Sequence, residues 1–254
     1  MTGLLLDLDG TLYVGESPLP GAVKAIDAIV ERGIPRRYLT NTTRLPRRGI
    51  AELLGRMGFA IDEEEIFTAP LAAKRWLESR GIRRVALYVP EAAREDFAGL
   101  ETVTEAPEAI VVGDLGEEWS FGRLNQAFRH LLDGAVLVAL QKNRYWRRED
   151  GLALDAGPFV RALEYATDRE AVVVGKPSTD FFRLAASSLA MPAEEVTVIG
   201  DDVEADVAGA QAAGMRGVLV RTGKYRPEVL ARSGVRPDGV ADSLAEALKA
   251  MMAD

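Results

Sequence analysis

The chain has 254 residues, 48% of them hydrophobic and 28% charged, which predicts a soluble globular protein with one large domain or two smaller ones. Its formal net charge of -8 argues against a general nucleic-acid binder, because such proteins usually carry a basic surface. Cysteine is absent, which excludes disulfide and thiolate chemistry. An acidic residue at position 7 and the lack of roughly 20 consecutive apolar residues predict a cytoplasmic protein without a signal peptide or membrane span.

Apolar strands and helices alternate along the chain, which is typical of an α/β fold with a doubly wound parallel sheet. The predicted strands cover residues 4–7, 37–40, 84–89, 109–112, 135–140, 171–174, 196–199 and 217–220. The segment 81–172 has its own series of strands and helices. We therefore predict a core domain formed by residues 1–80 and 173–254, with a smaller α/β domain inserted between them.

The first strand ends in two acidic residues, within the sequence "LLLDLDGTLY". Its apolar run does not alternate, as expected for a strand that is buried on both faces. Asp7 and Asp9 start on the same side of the extended chain, and Gly10 permits a tight turn. Two carboxylates so close repel each other unless a cation lies between them or one stays protonated. An acidic capped turn is the alternative interpretation.

Two further strand ends carry polar residues. "RYLTNTTR" places Thr40, Asn41 and Thr42 where a strand gives way to a loop, so they supply donors for an anion or a capping cluster for the next helix. "VVVGKPSTDFF" places Lys176 after an apolar run and before Pro177, a residue suited to the first position of a helix.

A fourth strand end is strongly acidic. "VTVIGDDVEADVAGAQAAG" runs from a strand into a helix that carries Asp201, Asp202, Glu204 and Asp206. One or two acidic residues stabilise a helix N-terminus, but four within six positions exceed that need and favour a metal site. Open α/β sheets assemble their sites at the carboxyl ends of their strands. The four strand ends together therefore predict a phosphoryl-transfer site with a carboxylate nucleophile.

The order of these motifs resembles the haloacid dehalogenase (HAD)-like hydrolase superfamily. "DLDGTL" is similar to its first motif, "LTNT" to its second, Lys176 to its third and "GDDVEAD" to its fourth. The long segment between the second and third motifs implies the subfamily with a large inserted α/β cap, of the C2 type, beside a Rossmann-like core. "TNTTR", "RYWRREDGLAL" and "VRTGKYRP" further resemble the phospholysine phosphohistidine inorganic pyrophosphate phosphatase group.

The resemblance implies a role for each acidic residue. Asp7 would be the nucleophile that forms an aspartyl-phosphate, and Asp9 would be the general acid and then the base. Mg²⁺ would be held by the Asp7 carboxylate, the Asp9 backbone carbonyl and Asp201. Family members differ in which later residue supports the metal, so Asp202 and Asp206 both remain candidates.

The resemblance also implies how substrate is bound. Thr40, Asn41 and Thr42 would contact phosphate oxygens, and Lys176 would offset the charge of nucleophile and phosphate. The expected substrate is a small phosphorylated molecule, and a pyrophosphate or phosphoamidate is an alternative. Neither nucleic acid nor membrane is an expected partner, and relatives often form homodimers through the cap.

Other functions fit the sequence less well. A halide-removing enzyme would not need an acid at Asp9, since halide leaves without a proton. A receiver domain is about half this length, and transport ATPases need membrane spans. A non-catalytic or phosphate-binding protein on the same fold remains the alternative, although it would typically have lost Asp7, Asp9 or Lys176.

The local sequence context predicts the surroundings of three further features. His130, the only histidine, lies on a predicted helix over residues 121–132 and is expected at the surface or its boundary. Arg44 follows the predicted phosphate loop and lies close enough in sequence to reach a substrate. The segment 141–150, with Arg144, Tyr145 and Trp146, is predicted to face the catalytic crevice; a solvent-facing hairpin is the alternative.

Overall fold

The structure is a computed structural model that describes residues 2–148 and 151–252. The chain divides into two compact units. The first comprises Met1–Thr40, Arg47–Phe67 and Lys176–Asp254, and the second Asn41–Pro46 and Thr68–Gly175. The second unit begins earlier than the predicted insertion at residue 81, because Ala69, Ala73 and Trp76 pack in one cluster with its strands.

The strands and helices alternate as the sequence predicts. In chain order the strands are Gly3–Asp7 (β1), Tyr13–Val14 (β2), Ser17–Pro18 (β3), Arg36–Thr40 (β4), Ile66–Thr68 (β5), Arg84–Tyr88 (β6), Glu101–Thr102 (β7), Ala109–Val112 (β8), Val136–Ala139 (β9), Tyr145–Arg148 (β10), Gly151–Leu154 (β11), Val172–Val173 (β12), Val196–Gly200 (β13), Arg216–Val220 (β14) and Gly239–Ala241 (β15). The helices are Ala22–Glu31 (α1), Arg47–Arg56 (α2), Ala69–Ser79 (α3), Phe121–Leu132 (α4), Ala156–Thr167 (α5), Thr179–Ser187 (α6), Gly209–Ala212 (α7), Pro227–Ser233 (α8) and Leu244–Met251 (α9).

The sheet of the first unit has six strands in the order β15-β14-β13-β1-β4-β5. β1 lies between β13 and β4 and is parallel to both, with Leu6 opposite Ile199 and Asp7 opposite Leu39. Every residue of β1 is buried, because helices cover both faces of a parallel sheet. The carboxyl ends of β1, β4, β13 and β14 therefore meet at one edge of this sheet.

The second unit contains a five-stranded sheet in the order β12-β9-β8-β6-β7, whose pairs are parallel. Apolar clusters cover the sheet, and they include Leu87, Val111 and Val138 in one cluster and Ile110 and Leu137 in another. β10 and β11 form a separate antiparallel hairpin.

The doubly wound parallel-sheet fold is confirmed, with three local corrections. The sequence did not predict the short strands β5 and β15 at the two edges of the first sheet. Pro177 is not the first residue of a helix, because α6 begins at Thr179 after the N-cap Ser178. His130 is buried, at 8% exposed, since its helix turns that face towards the protein interior.

Candidate active site

The first strand delivers Asp7 to the carboxyl edge of the first sheet as a buried side chain. Its Oδ2 accepts a hydrogen bond from the Thr11 hydroxyl at 3.1 Å, and its Oδ1 accepts one from the Lys176 ammonium. Thr11 is itself buried, at 1% exposed. Two donors therefore fix the orientation of this carboxylate. The sequence did not assign a role to Thr11, although it lies in the first motif.

Lys176 is a buried cation between two carboxylates. In addition to Asp7, its ammonium donates to Asp206 Oδ1 at 2.7 Å. Burial by itself lowers the pKa of Lys176, but the charges of Asp206 and then Asp7 outweigh it and raise the pKa above its ordinary value. Lys176 therefore stays protonated and offsets part of the negative charge around Asp7.

Three buried carboxylates form a cluster that fits a divalent cation. Asp7, Asp201 and Asp206 each offer an oxygen, and these oxygens all lie within 4.8 Å of one another. Within the described residues, Asp201 Oδ1 is buried without a hydrogen-bond partner, which is costly for a carboxylate. Hard oxygen ligands of this kind suit Mg²⁺ or Ca²⁺.

The electrostatics of the cluster also favour a cation. Burial and then the charge of Asp7 raise the pKa of Asp201 to about 8. Burial raises the pKa of Asp206 to about 6, while Lys176 acts in the opposite direction. Both shifts report carboxylates that are unfavourable as anions, and a bound divalent cation would relieve that cost.

Asp202 and Asp206 have different surroundings, although the sequence left them as equal candidates. The Asp202 carboxylate accepts hydrogen bonds from the backbone N–H groups of Glu204 and Ala205, at 3.0 and 2.9 Å, so it caps the following turn. That turn, Val203–Ala208, has the wider π-type hydrogen bonding. Asp206 instead points into the carboxylate cluster and accepts from the Asp202 N–H at 3.1 Å.

Asp9 lies in the turn that follows β1. The Asp9 side chain is exposed, but the dense surroundings desolvate its carboxyl and raise its pKa; Lys224 opposes this rise and Asp7 adds to it. Gly10 follows with φ of +89°, and a β-carbon there would lie 2.0 Å from Asp201 Oδ2. Only glycine allows this loop to pass so close to the Asp201 carboxylate.

The loop after β14 is part of the site, and the sequence analysis missed it. The Lys224 N–H donates to Asp201 Oδ2 at 2.6 Å, and the Thr222 hydroxyl donates to the Gly10 carbonyl. A β-carbon on Gly223 would lie 2.0 Å from Asp201 Oδ2. The signal was present, because Val220 ends a predicted strand and a Thr-Gly-Lys sequence follows one residue later, at the edge where the other motifs lie.

The residues of the second motif fall in two different units. Thr40 is buried and ends β4, one position beyond the residue opposite Asp7. Asn41 and Thr42 belong to the second unit, where Asn41 Oδ1 lies against the Gly175 backbone. In that unit Arg44 pairs with the buried Asp114 at 3.4 Å.

The segment 141–150 is partly a hairpin, since β10 pairs with β11. Glu149, Asp150 and the side chain of Trp146 lie outside the described residues. Tyr145 is exposed, at 59%. The prediction that this segment faces the catalytic crevice stays a prediction.

Known proteins match this chain over almost its whole length. The family model described as haloacid dehalogenase-like hydrolase matches residues 4–102, and a HAD-hydrolase-like model matches residues 173–247. The bovine (Bos taurus) haloacid dehalogenase-like hydrolase domain-containing protein 2 is 46% identical over 226 residues, which cover 89% of this chain and 86% of that protein. The chain belongs to the haloacid dehalogenase-like hydrolase family. The predicted HAD resemblance is confirmed.

Two further relatives bear on the enzyme class of this HAD-like hydrolase. The bovine phospholysine phosphohistidine inorganic pyrophosphate phosphatase is 40% identical, with 98% of this chain and 94% of that protein covered. The solved structure of a p-nitrophenyl phosphatase from Archaeoglobus fulgidus has a TM-score of 0.91 at 32% identity and covers 98% of each chain. The prediction of an HAD-like phosphatase is confirmed. Within residues 2–148 and 151–252, no helix combines the length and apolar character needed to cross a membrane.

Proposed function

We propose that this HAD-like protein is a Mg²⁺-dependent phosphatase that hydrolyses small phosphorylated molecules through an aspartyl-phosphate on Asp7. The observation that carries the proposal is the Asp7 carboxylate itself, which is buried, oriented by the Thr11 hydroxyl and Lys176, and adjacent to two further acidic residues. A nucleophile held in one orientation reacts faster because its positioning is complete before the substrate arrives.

In the first step an Asp7 oxygen forms a bond to phosphorus while the bond from phosphorus to the leaving oxygen breaks. Asp9 donates a proton to that oxygen; burial raises the pKa of its carboxyl, and this shift favours the protonated form that a general acid needs. In the second step Asp9 takes a proton from water, which attacks phosphorus and releases phosphate and the free Asp7 carboxylate. Lys176 offsets the charge at Asp7 in both steps.

Asp7 and Asp201 would hold Mg²⁺, together with the Asp9 backbone carbonyl, and Asp206 would support it from the neighbouring turn. When bound, the ion would supply positive charge that offsets the charge of the phosphate oxygens and reduces the repulsion between the carboxylates. Thr40, Asn41 and Thr42 remain the proposed phosphate-binding residues.

The finer assignments rest on the resemblance. A phosphoanhydride or phosphoamidate is the second candidate class of substrate, because a 40% identical relative carries those groups in its name. We also retain as proposals a cytoplasmic location, the absence of nucleic-acid and membrane partners and a homodimer formed through the cap.

Hydrolysis of p-nitrophenyl phosphate with and without Mg²⁺ tests the proposal. We expect wild type to be active only with a divalent cation, Asp7→Asn to be inactive and Asp9→Asn nearly so, with thermal unfolding little changed because neither substitution removes core volume. Radiolabelled phosphate trapped on Asp7 by acid quenching would identify the intermediate. An Asp7→Asn protein with more than about one per cent of wild-type activity would exclude the covalent mechanism, because losing the essential nucleophile costs several orders of magnitude.

A further inference from the structure

Hydrogen bonds join the segment after β14 to the first loop and to Asp201. The Thr222 hydroxyl donates to the Gly10 carbonyl, and the Lys224 N–H donates to Asp201 Oδ2 at 2.6 Å. The Arg226 guanidinium donates to two carbonyl oxygens of the same segment, at 3.2 and 2.7 Å. These contacts fix the main chain of Lys224 beside Asp201, so its ammonium can sample only the volume within reach of its four-carbon stem.

The Lys224 side chain is exposed, unlike that of Lys176. Lys176 is committed to Asp7 and Asp206. The Lys224 ammonium forms no ion pair with any residue of the described part of the chain. The N–H donors of this ammonium are therefore available to bind another molecule at the site.

The backbone contact with Asp201 places Lys224 at the edge of the carboxylate cluster, and the electrostatics agree with that position. Although desolvation acts against it, the pKa of Lys224 is raised by the charges of Asp7 and then Asp201. Its own charge lowers the pKa of Asp9. Because the Lys224 main chain lies beside Asp201, and oxygens of Asp201 and Asp7 lie within 4.8 Å of each other, the ammonium is within electrostatic range of the proposed nucleophile.

We propose that the Lys224 ammonium contacts an anionic group on the leaving part of the substrate, which makes Lys224 a specificity-determining residue. This rests on the proposed function, in which Asp9 protonates the leaving oxygen. Asp9 directly precedes Gly10, whose carbonyl accepts the hydrogen bond from Thr222, two residues before Lys224. A charge-assisted hydrogen bond to a carboxylate or phosphate on the leaving group is worth about tenfold in affinity or rate. A neutral leaving group gains little from the same cation.

A structural role for Lys224 is the competing explanation. A cavity of about 210 Å³ beside the site is lined by Lys224, Asp202, Glu204 and Arg226, among others. If the ammonium turned into this cavity in solution, it would pair with the acidic residues there. It would then stabilise the segment 222–226 without discriminating between substrates.

Two monoesters that differ in one charge separate these roles. Glycerol phosphate and the terminal phosphate ester of glycerate have the same length, but the second carries a carboxylate in place of a hydroxymethyl group. We expect Lys224→Met to lower kcat/KM for phosphoglycerate by about tenfold and for glycerol phosphate by less than about threefold. Methionine keeps the backbone N–H that binds Asp201, and Lys224→Arg should retain most of the preference. Lys24→Met, which removes an exposed lysine from helix α1, is the matched control and should change neither value.

Equal losses for both substrates, or a fall in thermal stability without a change in their ratio, would overturn the proposal. Lysine acetylation measured by mass spectrometry gives a readout that does not depend on turnover. We expect phosphoglycerate to protect Lys224 more than glycerol phosphate does, with Lys24 equally labelled in both. Equal labelling of Lys224 would reject its contact with the substrate, whereas failure of wild type to hydrolyse any phosphate ester would reject the proposed function instead.

Discussion

Replacing Gly10 by alanine tests whether the first loop and Asp201 must fit together for catalysis. The new β-carbon would lie 2.0 Å from Asp201 Oδ2, whereas ordinary contacts begin at 3.4 Å. The carboxylate or the loop must therefore move by roughly 1.4 Å, the difference between these distances. The φ of +89° adds strain of about 1–2 kcal/mol for any residue that carries a β-carbon.

Misplacing a catalytic group by about 1 Å can cost roughly 100-fold in rate, so we expect kcat/KM of Gly10→Ala to fall by about that factor. The strain should lower Tm by about 2–8 °C for a chain of this size. The assays are p-nitrophenyl phosphate hydrolysis at saturating Mg²⁺ and thermal unfolding followed by circular dichroism. A Mg²⁺ titration should also show weaker activation, because Asp201 is a proposed ligand of the ion.

Gly15 offers a matched control on the next turn. Its φ is +62°, but a β-carbon there would meet no atom within 4 Å. Gly15→Ala should therefore carry the backbone strain and a similar loss of Tm, with activity unchanged. Equal losses of activity in the two variants, or a Gly10→Ala enzyme within about threefold of wild type, would refute the argument from the Asp201 contact.

Two further predictions concern the carboxylate cluster. Thr11→Val should lower kcat by about tenfold with KM little changed, because a hydrogen bond to the charged Asp7 is lost. Thr11→Ser keeps the hydroxyl and should restore kcat. Equal activity of the Thr11→Val variant and wild type would show that Lys176 alone orients Asp7. Without divalent cations, Tm should fall as the pH rises from about 5 to 8, since Asp201 and Asp206, with pKa values of about 8 and about 6, keep protons in the folded state that the unfolded chain has already released. Mg²⁺ should raise Tm more at pH 8 than at pH 6. Asp201→Asn should make the metal-free Tm depend less on pH. A metal-free wild-type Tm that rises between pH 5 and 8 would contradict the electrostatics of the carboxylate cluster.

The fold was predictable where strands are long, apolar and central. The runs that became β1, β8 and β13 are buried on both faces, and such strands have no polar positions to obscure them. The edge strands β5 and β15 have only three residues each, too few for a pattern to emerge from a sequence. The burial of His130 depended on what its helix packs against, which periodicity alone does not specify.

The candidate site was predictable where a charged residue closely follows a buried apolar strand. Asp7 and Lys176 are charged residues at the end of an apolar run, which makes them recognisable in the sequence. In the structure a hydrogen bond joins them. The different surroundings of Asp202 and Asp206 depend on the conformation of the single turn that contains them. Their spacing in the sequence therefore could not show which of them points into the carboxylate cluster. Lys224 was missed because its contact with Asp201 is made by the backbone N–H, so the sequence signals it only by its place after a predicted strand.

The hydrogen bond from Thr222 to Gly10 joins residues that are 212 positions apart, and Lys176 lies 169 positions after Asp7. The ribosome adds about 5–20 residues per second, so roughly 10–40 s separate the synthesis of the Gly10 loop from that of its partner. For most of that interval the nascent chain carries Asp7, the proposed nucleophile, without Lys176, and for all of it without the loop that contacts Gly10 and Asp201. Hydrolytic activity should therefore begin only when the β14 segment has left the ribosome and paired with the sheet, long after the proposed nucleophile has been synthesised.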